Sequence, residues 1–172
     1  MVNRKRDDRI SRSVSVLVSM LVRYPEVGTV KYEPRQQTIR MGLVITGEMT
    51  DADWNRTEQD LFDTLDVYHL LEQRQPSVLD VAMESYGELT SIAITRDVAT
   101  FSPEEIYTIV EFFKERFAGR LVTELVDWPA NEDEMIAQDE LIEELVADLE
   151  ENRSSRNLIA IREDGRVMVF RK

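Results

Sequence analysis

An α+β fold of the form α-ββα-ββα is predicted for residues 1–128, with a four-stranded antiparallel sheet covered by helices on one face; residues 129–172 are predicted to add an acidic helix and a β-hairpin. Three observations lead there. The apolar period switches between 3.6 and 2 along the chain, and turn-forming clusters separate the two kinds of segment. A spacing of about 51 or 52 residues also relates two successive ββα stretches, setting Val30 beside Val81, Glu33 beside Glu84, Thr50 beside Ser102, Trp54 beside Ile106 and Leu61 beside Phe113. Each stretch alone would leave an apolar face wet, so one shared sheet is the economical arrangement.

The first helix is expected from Ile10 to Tyr24, because Ile10, Val14, Leu17, Val18 and Leu21 recur at three- and four-residue spacing and Pro25 stops the pattern. Val27 to Tyr32 then alternates. Glu33-Pro34-Arg35-Gln36-Gln37 supplies turn chemistry, and Thr38 to Thr46 is rich in β-branched residues, so the two runs read as a hairpin. A second helix starts at Thr50 or Asp51 and carries Trp54, Leu61, Phe62, Leu65 and Tyr68 on one face, with Asp53 in its electropositive first turn. Val78 to Glu84 and Leu89 to Arg96 form a second hairpin around Tyr86-Gly87. Ser102-Pro103-Glu104-Glu105 is a helix start with a Ser cap, Pro at the first helical position and Glu at the capping-box position. Gly119 can be the C′ residue of that third helix or an interior point of close backbone approach; the helix is expected to run on to about Val126, since Leu121, Val122 and Leu125 keep its spacing.

Trp128-Pro129-Ala130-Asn131 is the clearest break, and it divides a duplicated core, 1–128, from a C-terminal arm, 129–172, docked on the core or on a second subunit. The arm begins with a helix from Glu132 to about Glu151, whose stripe of Met135, Ile142, Leu145 and Leu149 is widened by Leu141 and Val146. It ends with Leu158 to Ile161 and Val167 to Phe170 around Asp164-Gly165, a strong hairpin turn. An isolated two-stranded hairpin is barely stable in water, so this one is expected to extend a sheet of its own chain or of a second copy, with a homodimer built through this arm.

Charge is distributed very unevenly. Of the 34 acids, twelve lie between Glu124 and Glu151, a stretch with no Lys or Arg, which leaves 22 acids against 21 bases elsewhere and places nearly all of the −13 net charge in one segment. Such a surface attracts cationic partners and repels phosphate backbones. The basic residues that follow, Arg153, Arg156, Arg162, Arg166, Arg171 and Lys172, offer the alternative that the acids are satisfied within the chain.

Composition excludes several chemistries. The absence of Cys removes disulfides, thiolate catalysis and Cys-ligated metal centres, and makes a cytoplasmic protein the expectation. The apolar run Val14 to Val22 is short, broken by Ser15 and Ser19 and followed by Arg23-Tyr24-Pro25-Glu26, which does not match a signal peptide, and no run is long enough to span a bilayer. No G-x-S-x-G elbow, S-x-x-K element or phosphate-binding glycine loop occurs, and no cofactor is expected.

The remaining candidates are few. His69, the only imidazole, has Asp66 and Glu72 three residues to either side and reads as a packed or surface histidine. Asp51 and Asp53, with Asp60, Asp63 and Asp66, are the residue types of a magnesium or manganese site, but the last three drift along one outward helix side and read as solvated. With His69 they define an alternative reading, a carboxylate-based, divalent-metal-dependent hydrolase. The first helix, followed by Val27 to Thr46 and then another helix, resembles KH-like RNA-binding domains in topology, although no G-x-x-G loop joins the helices. Arg4, Lys5, Arg6, Arg9, Arg12, Arg35 and Arg40 are the basic patch that a second alternative, RNA binding, would use; the net charge opposes it.

The leading expectation is therefore a non-enzymatic interaction or regulatory protein that presents an acidic helix to a cationic protein surface. Its partner-binding residues are Glu132, Asp133, Glu134, Asp139, Glu140, Glu143, Glu144 and Asp148. No metal or membrane is expected to take part.

Overall fold

A computed structural model describes residues 2–124, 131–151 and 156–171. It is an α+β structure with four α-helices, α1 Val2–Arg23, α2 Asp51–Leu71, α3 Pro103–Arg116 and α4 Glu132–Glu151. Six strands, β1 Thr29–Glu33, β2 Thr38–Thr46, β3 Leu79–Tyr86, β4 Leu89–Asp97, β5 Leu158–Glu163 and β6 Arg166–Arg171, form one antiparallel sheet in the order β3-β4-β2-β1-β5-β6. The expected four strands are present, but the sheet has six. The C-terminal hairpin joins it because β1 has a free edge, which β5 takes by setting Tyr32 opposite Leu158 and Val30 opposite Ala160. Those pairs continue the buried row, so Leu158 and Ala160 are buried without a second chain.

Side-chain alternation sets the two faces of this sheet. Val30, Tyr32, Ile39, Met41, Leu43, Ile45, Ile92, Ile94, Leu158 and Ala160 are buried. Their alternates form an open face, with Lys31, Arg40 and Ala82 exposed and Gly42, Val44 and Ala93 half-buried. The helices complete the core with Leu17, Met20 and Leu21 from α1, Leu61 and Leu65 from α2, Ile106, Ile109 and Phe113 from α3 and Ile142 and Leu149 from α4. Among the described residues, no helix is long and apolar enough to cross a membrane.

Two boundaries differ from expectation. The first helix begins at Val2 rather than Ile10, so the basic residues before Ile10 continue it. The third helix stops at Arg116, capped by Phe117, and does not run on towards Val126. The physical reason is Gly119, whose φ of 78° turns the chain out of the helix. Leu121 then bridges Ile45, Arg120 O accepts from Thr46 N at 2.8 Å, and Val122 N donates to Val44 O at 2.8 Å. The apolar spacing of Leu121 and Val122 belongs to a segment lying along the β2 edge that β1 leaves uncovered; Leu125 and Val126 lie outside the described residues.

Candidate interaction surface

Helix α4 is anchored by apolar burial. Ile142, Leu145, Val146 and Leu149 are buried, and the helix packs mainly on α1, with further contacts to α3 and to the 3-10 turn Val98–Thr100. At its N-terminus Asn131 Oδ1 accepts from Glu134 N at 2.9 Å while Asn131 N donates to Glu134 Oε2 at 3.3 Å, a reciprocal cap that satisfies two otherwise orphaned donors.

The eight acids singled out from the sequence divide into two groups. Asp139 accepts from Arg23 at 3.0 and 3.3 Å and from the Tyr24 hydroxyl at 3.2 Å; burial, with Asp139 alongside, pushes that phenol well above its ordinary range. Asp148 pairs with Arg12 at 3.2 Å. These two clamp α4 antiparallel along α1, and Glu134 serves the cap. Glu132, Asp133, Glu140, Glu143 and Glu144 are exposed, and none of them forms an ion pair with a described residue. Asp133, Glu140 and Glu144 follow one another at helical spacing on the side away from Ile142, and Ile136, 52% exposed, stands among them. The result is an outward acidic stripe with Ile136 in it and Leu141 beside it; Leu141 is exposed because it lies off the face of Ile142 and Leu145, and does not widen the docked stripe as expected.

The other sequence candidates are spread over the molecule. Asp51 and Asp53 are exposed in the first turn of α2, where Thr50 caps the helix by accepting from Asp53 N at 3.2 Å. His69 lies eighteen residues further along the same helix, about 27 Å away at the α-helical rise, so Asp51, Asp53 and His69 are not brought together. Asp60 pairs with Arg116 of α3, and Asp63 accepts from Gln59 at 2.9 Å. Arg40 projects from the open face of the sheet, whereas Arg12 lies on α1, which packs on the other face and engages α4. The side chains of Arg4, Lys5, Arg6 and Arg9 lie outside the described residues.

His69 belongs instead to a buried polar network that sequence reasoning missed. Its Nε2 meets Glu105 Oε1, and Glu105 also accepts from Arg96 Nε at 2.6 Å and Nη2 at 3.0 Å. Arg96 Nη1 donates to Val78 O at 2.9 Å and to Asp97, and Nη2 to Thr100 Oγ1 at 2.9 Å, so every guanidinium N–H has an acceptor. Burial alone would raise the Asp97 carboxyl, but bonds from the Thr100 hydroxyl, Val78 N and Arg96 outweigh it and hold that group below the usual carboxylate range. Arg96 and Glu105 are fully buried and bonded to their neighbours, so the network locks α2, β4 and α3 together. One signal was available: Arg96 continues the buried phase of Ile92 and Ile94, so a charge on that face needs a buried counter-charge. Glu105 also departs from the expected capping box. Ser102 Oγ accepts from Glu105 N at 3.3 Å, but the Glu105 carboxylate turns inward instead of reaching back to the cap.

A second charged cluster lies just before β1 begins, around a cavity of about 310 Å³ lined by Glu26, Glu124, Asp164 and Arg162. Arg162 Nη2 caps the end of α1, donating to Leu21 O and, at 3.3 Å, to Tyr24 O. Glu124 Oε2 is 2.9 Å from Arg162 Nε but off the N–H direction, so the two form an ion pair rather than a hydrogen bond. Burial lowers the Arg162 pKa, against the raising influence of Glu124 and Glu26. This cluster secures the helix end to the C-terminal hairpin.

No family model, curated protein or solved structure matches the chain.

Proposed function

We propose that this protein is a non-enzymatic interaction module in which the outer side of α4 binds a cationic surface of a partner protein. The observation that carries the reading is the division of labour on α4. Its apolar residues and two of its acids fasten it to the body, while Glu132, Asp133, Glu140, Glu143 and Glu144 face outward. A helix built only to fold gains nothing from like charges at i and i+4, such as Glu140 and Glu144, which disfavour it by a few tenths of a kcal/mol per pair. Ile136 adds an apolar point at which a partner side chain loses water. The same reading includes a homodimer formed through the C-terminal arm.

The test is binding of an Arg/Lys-rich amphipathic helical peptide at low salt and at about 0.5 M salt, where exposed charges are screened within a few ångströms. Reversing Glu140, Glu143 and Glu144 to Lys is expected to abolish binding. A control reverses Asp63, Asp66 and Glu72, all exposed on or just after α2, which changes net charge equally and is expected to preserve most of it. Equal loss in both variants would reduce the effect to net charge and remove the site; salt-independent binding would remove the electrostatic basis.

A further inference from the structure

Strand β6 is the outermost strand on its side of the sheet, and its turn determines which backbone groups look outward. Asp164 and Gly165, with φ of 48° and 75°, form a two-residue turn of the I′ kind, so Glu163 and Arg166 close the hairpin as a hydrogen-bonded pair and the pattern alternates from there. Arg166, Met168 and Phe170 therefore bond to β5, and the N–H and C=O groups of Val167, Val169 and Arg171 point to the free edge. Among the described residues, no backbone hydrogen bond reaches that edge. On the open face Met168 and Phe170 are 37% and 50% exposed beside Ile161 and Ile159, an apolar strip that ends at an unpaired strand. Most edge strands avoid that combination.

We propose that β6 pairs antiparallel with β6 of a second copy about a two-fold axis at Met168, joining the two sheets edge to edge. The proposal rests on the dimer reading above and names its surface and register. Two-fold pairing has to match both face and hydrogen-bonding sense. Centring on Met168 does so, setting Val167 opposite the partner subunit's Val169, twice, for four backbone hydrogen bonds. It also sets Arg166 opposite the partner subunit's Phe170, twice, within reach of a cation–π contact, with no like charges directly opposed. Centring on Val169 instead keeps as many apolar pairs, with Met168 against the partner subunit's Phe170 twice, but it places Arg171 against Val167, loses the contact of Arg166 with Phe170, and sets two Met168→Cys thiols apart instead of face to face. The other sheet edge, β3, fits less well. It presents Asp80 and Glu84, and pairing β6 with it sets Phe170 against Asp80 in a head-to-tail contact that closes no dimer.

Light scattering of the full chain over a concentration series, with Met168→Lys and Met168→Cys variants, tests the pairing. The wild type is expected at twice the chain mass, more completely as salt screens the −13 charge of each copy, which is the opposite salt trend to cationic-partner binding. Met168→Lys sets two ammonium groups face to face and is expected to run as a single chain with unchanged far-UV circular dichroism. Opposed residues of a non-hydrogen-bonded pair have Cα atoms about 4.5 Å apart, within disulfide reach, so Met168→Cys is expected to cross-link quickly in this Cys-free chain and Phe170→Cys slowly. A monomeric wild type would overturn the dimer and the pairing together. A dimer that survives Met168→Lys, or cross-links faster through Phe170→Cys, overturns the pairing and moves the dimer to another surface. Mass that keeps growing with concentration overturns it in favour of head-to-tail joining.

Discussion

Replacing Arg96 by Met is the most informative perturbation of the fold, because it removes one charge that two buried carboxylates share. Arg96 is fully buried and donates to Glu105 through Nε and Nη2, at 2.6 and 3.0 Å, as well as to Asp97. Met fills much of the same volume, so the loss is electrostatic rather than a cavity. Asp97 keeps Ser77 N, Val78 N and Thr100 as donors, whereas Glu105 keeps only His69. Most of the cost therefore falls on Glu105, an uncompensated carboxylate in the interior, and breaking such a pair from one side costs about 3–5 kcal/mol. Against a total stability of about 5–15 kcal/mol for a domain, the variant should be visibly less stable in urea, read by circular dichroism. The double variant Arg96→Met with Glu105→Leu is expected to lose less than the sum of the single changes, since the second removes the stranded charge. A loss below about 1 kcal/mol for Arg96→Met, the level of a surface pair, would refute the view that this network locks the helices to the sheet.

Three further outcomes follow from the geometry. Since the Asp97 pKa is depressed in the folded state, its contribution is fully present above its unfolded value, near 3.8, and is lost as pH falls through the lower folded value. Acid unfolding should steepen below about pH 4, and Asp97→Asn should flatten it. A Cβ on Gly42 would clash with Thr29 Oγ1 across β1 and β2, so Gly42→Ala is expected to lower the melting temperature in the wild type and raise it in a Thr29→Ala background. Gly119→Ala meets nothing within 4 Å, so its cost is conformational, about 1 kcal/mol for an L-residue at φ 78°.

The elements with strong periodicity or sharp turn chemistry were legible in the sequence. Thr50 and Ser102 accept from Asp53 N and Glu105 N as their positions suggested, and Asp164-Gly165 makes the expected tight turn. The end of α3 was not legible, because Leu121 and Val122 fit helical spacing while their backbone groups bond to β2; spacing reports burial and not its partner. The C-terminal hairpin was legible as one that extends a sheet, but the edge it takes was not, since the gain from pairing β5 with β1 depends on an edge about 130 residues away in the chain. On α4 the sequence supplied the list of acids but not its division. Asp139 and Asp148 are set apart from Glu140 and Glu144 by facing Arg23 and Arg12, and facing is a property of the packed helix.

That division leads to a trade between stability and binding that can be measured on α4. Full burial of an aliphatic side chain is worth about 1.5–3 kcal/mol, so Ile142, Leu145, Val146 and Leu149 together supply an upper estimate of roughly 6–12 kcal/mol for docking the helix. The like-charge neighbours Glu140 with Glu143, Glu140 with Glu144, and Glu144 with Asp148 oppose the helix by about 0.2–0.5 kcal/mol each. The outward acids are thus tolerated by the fold and not required by it. Changing Glu140 and Glu144 to Gln removes those three repulsions and is expected to stabilise the protein by roughly 0.6–1.5 kcal/mol in urea while weakening its hold on a cationic peptide. Gain of stability with loss of binding is what a surface kept for a partner produces. If the same double change destabilises the protein, those carboxylates are engaged by bases of their own chain, and α4 is acidic for internal reasons.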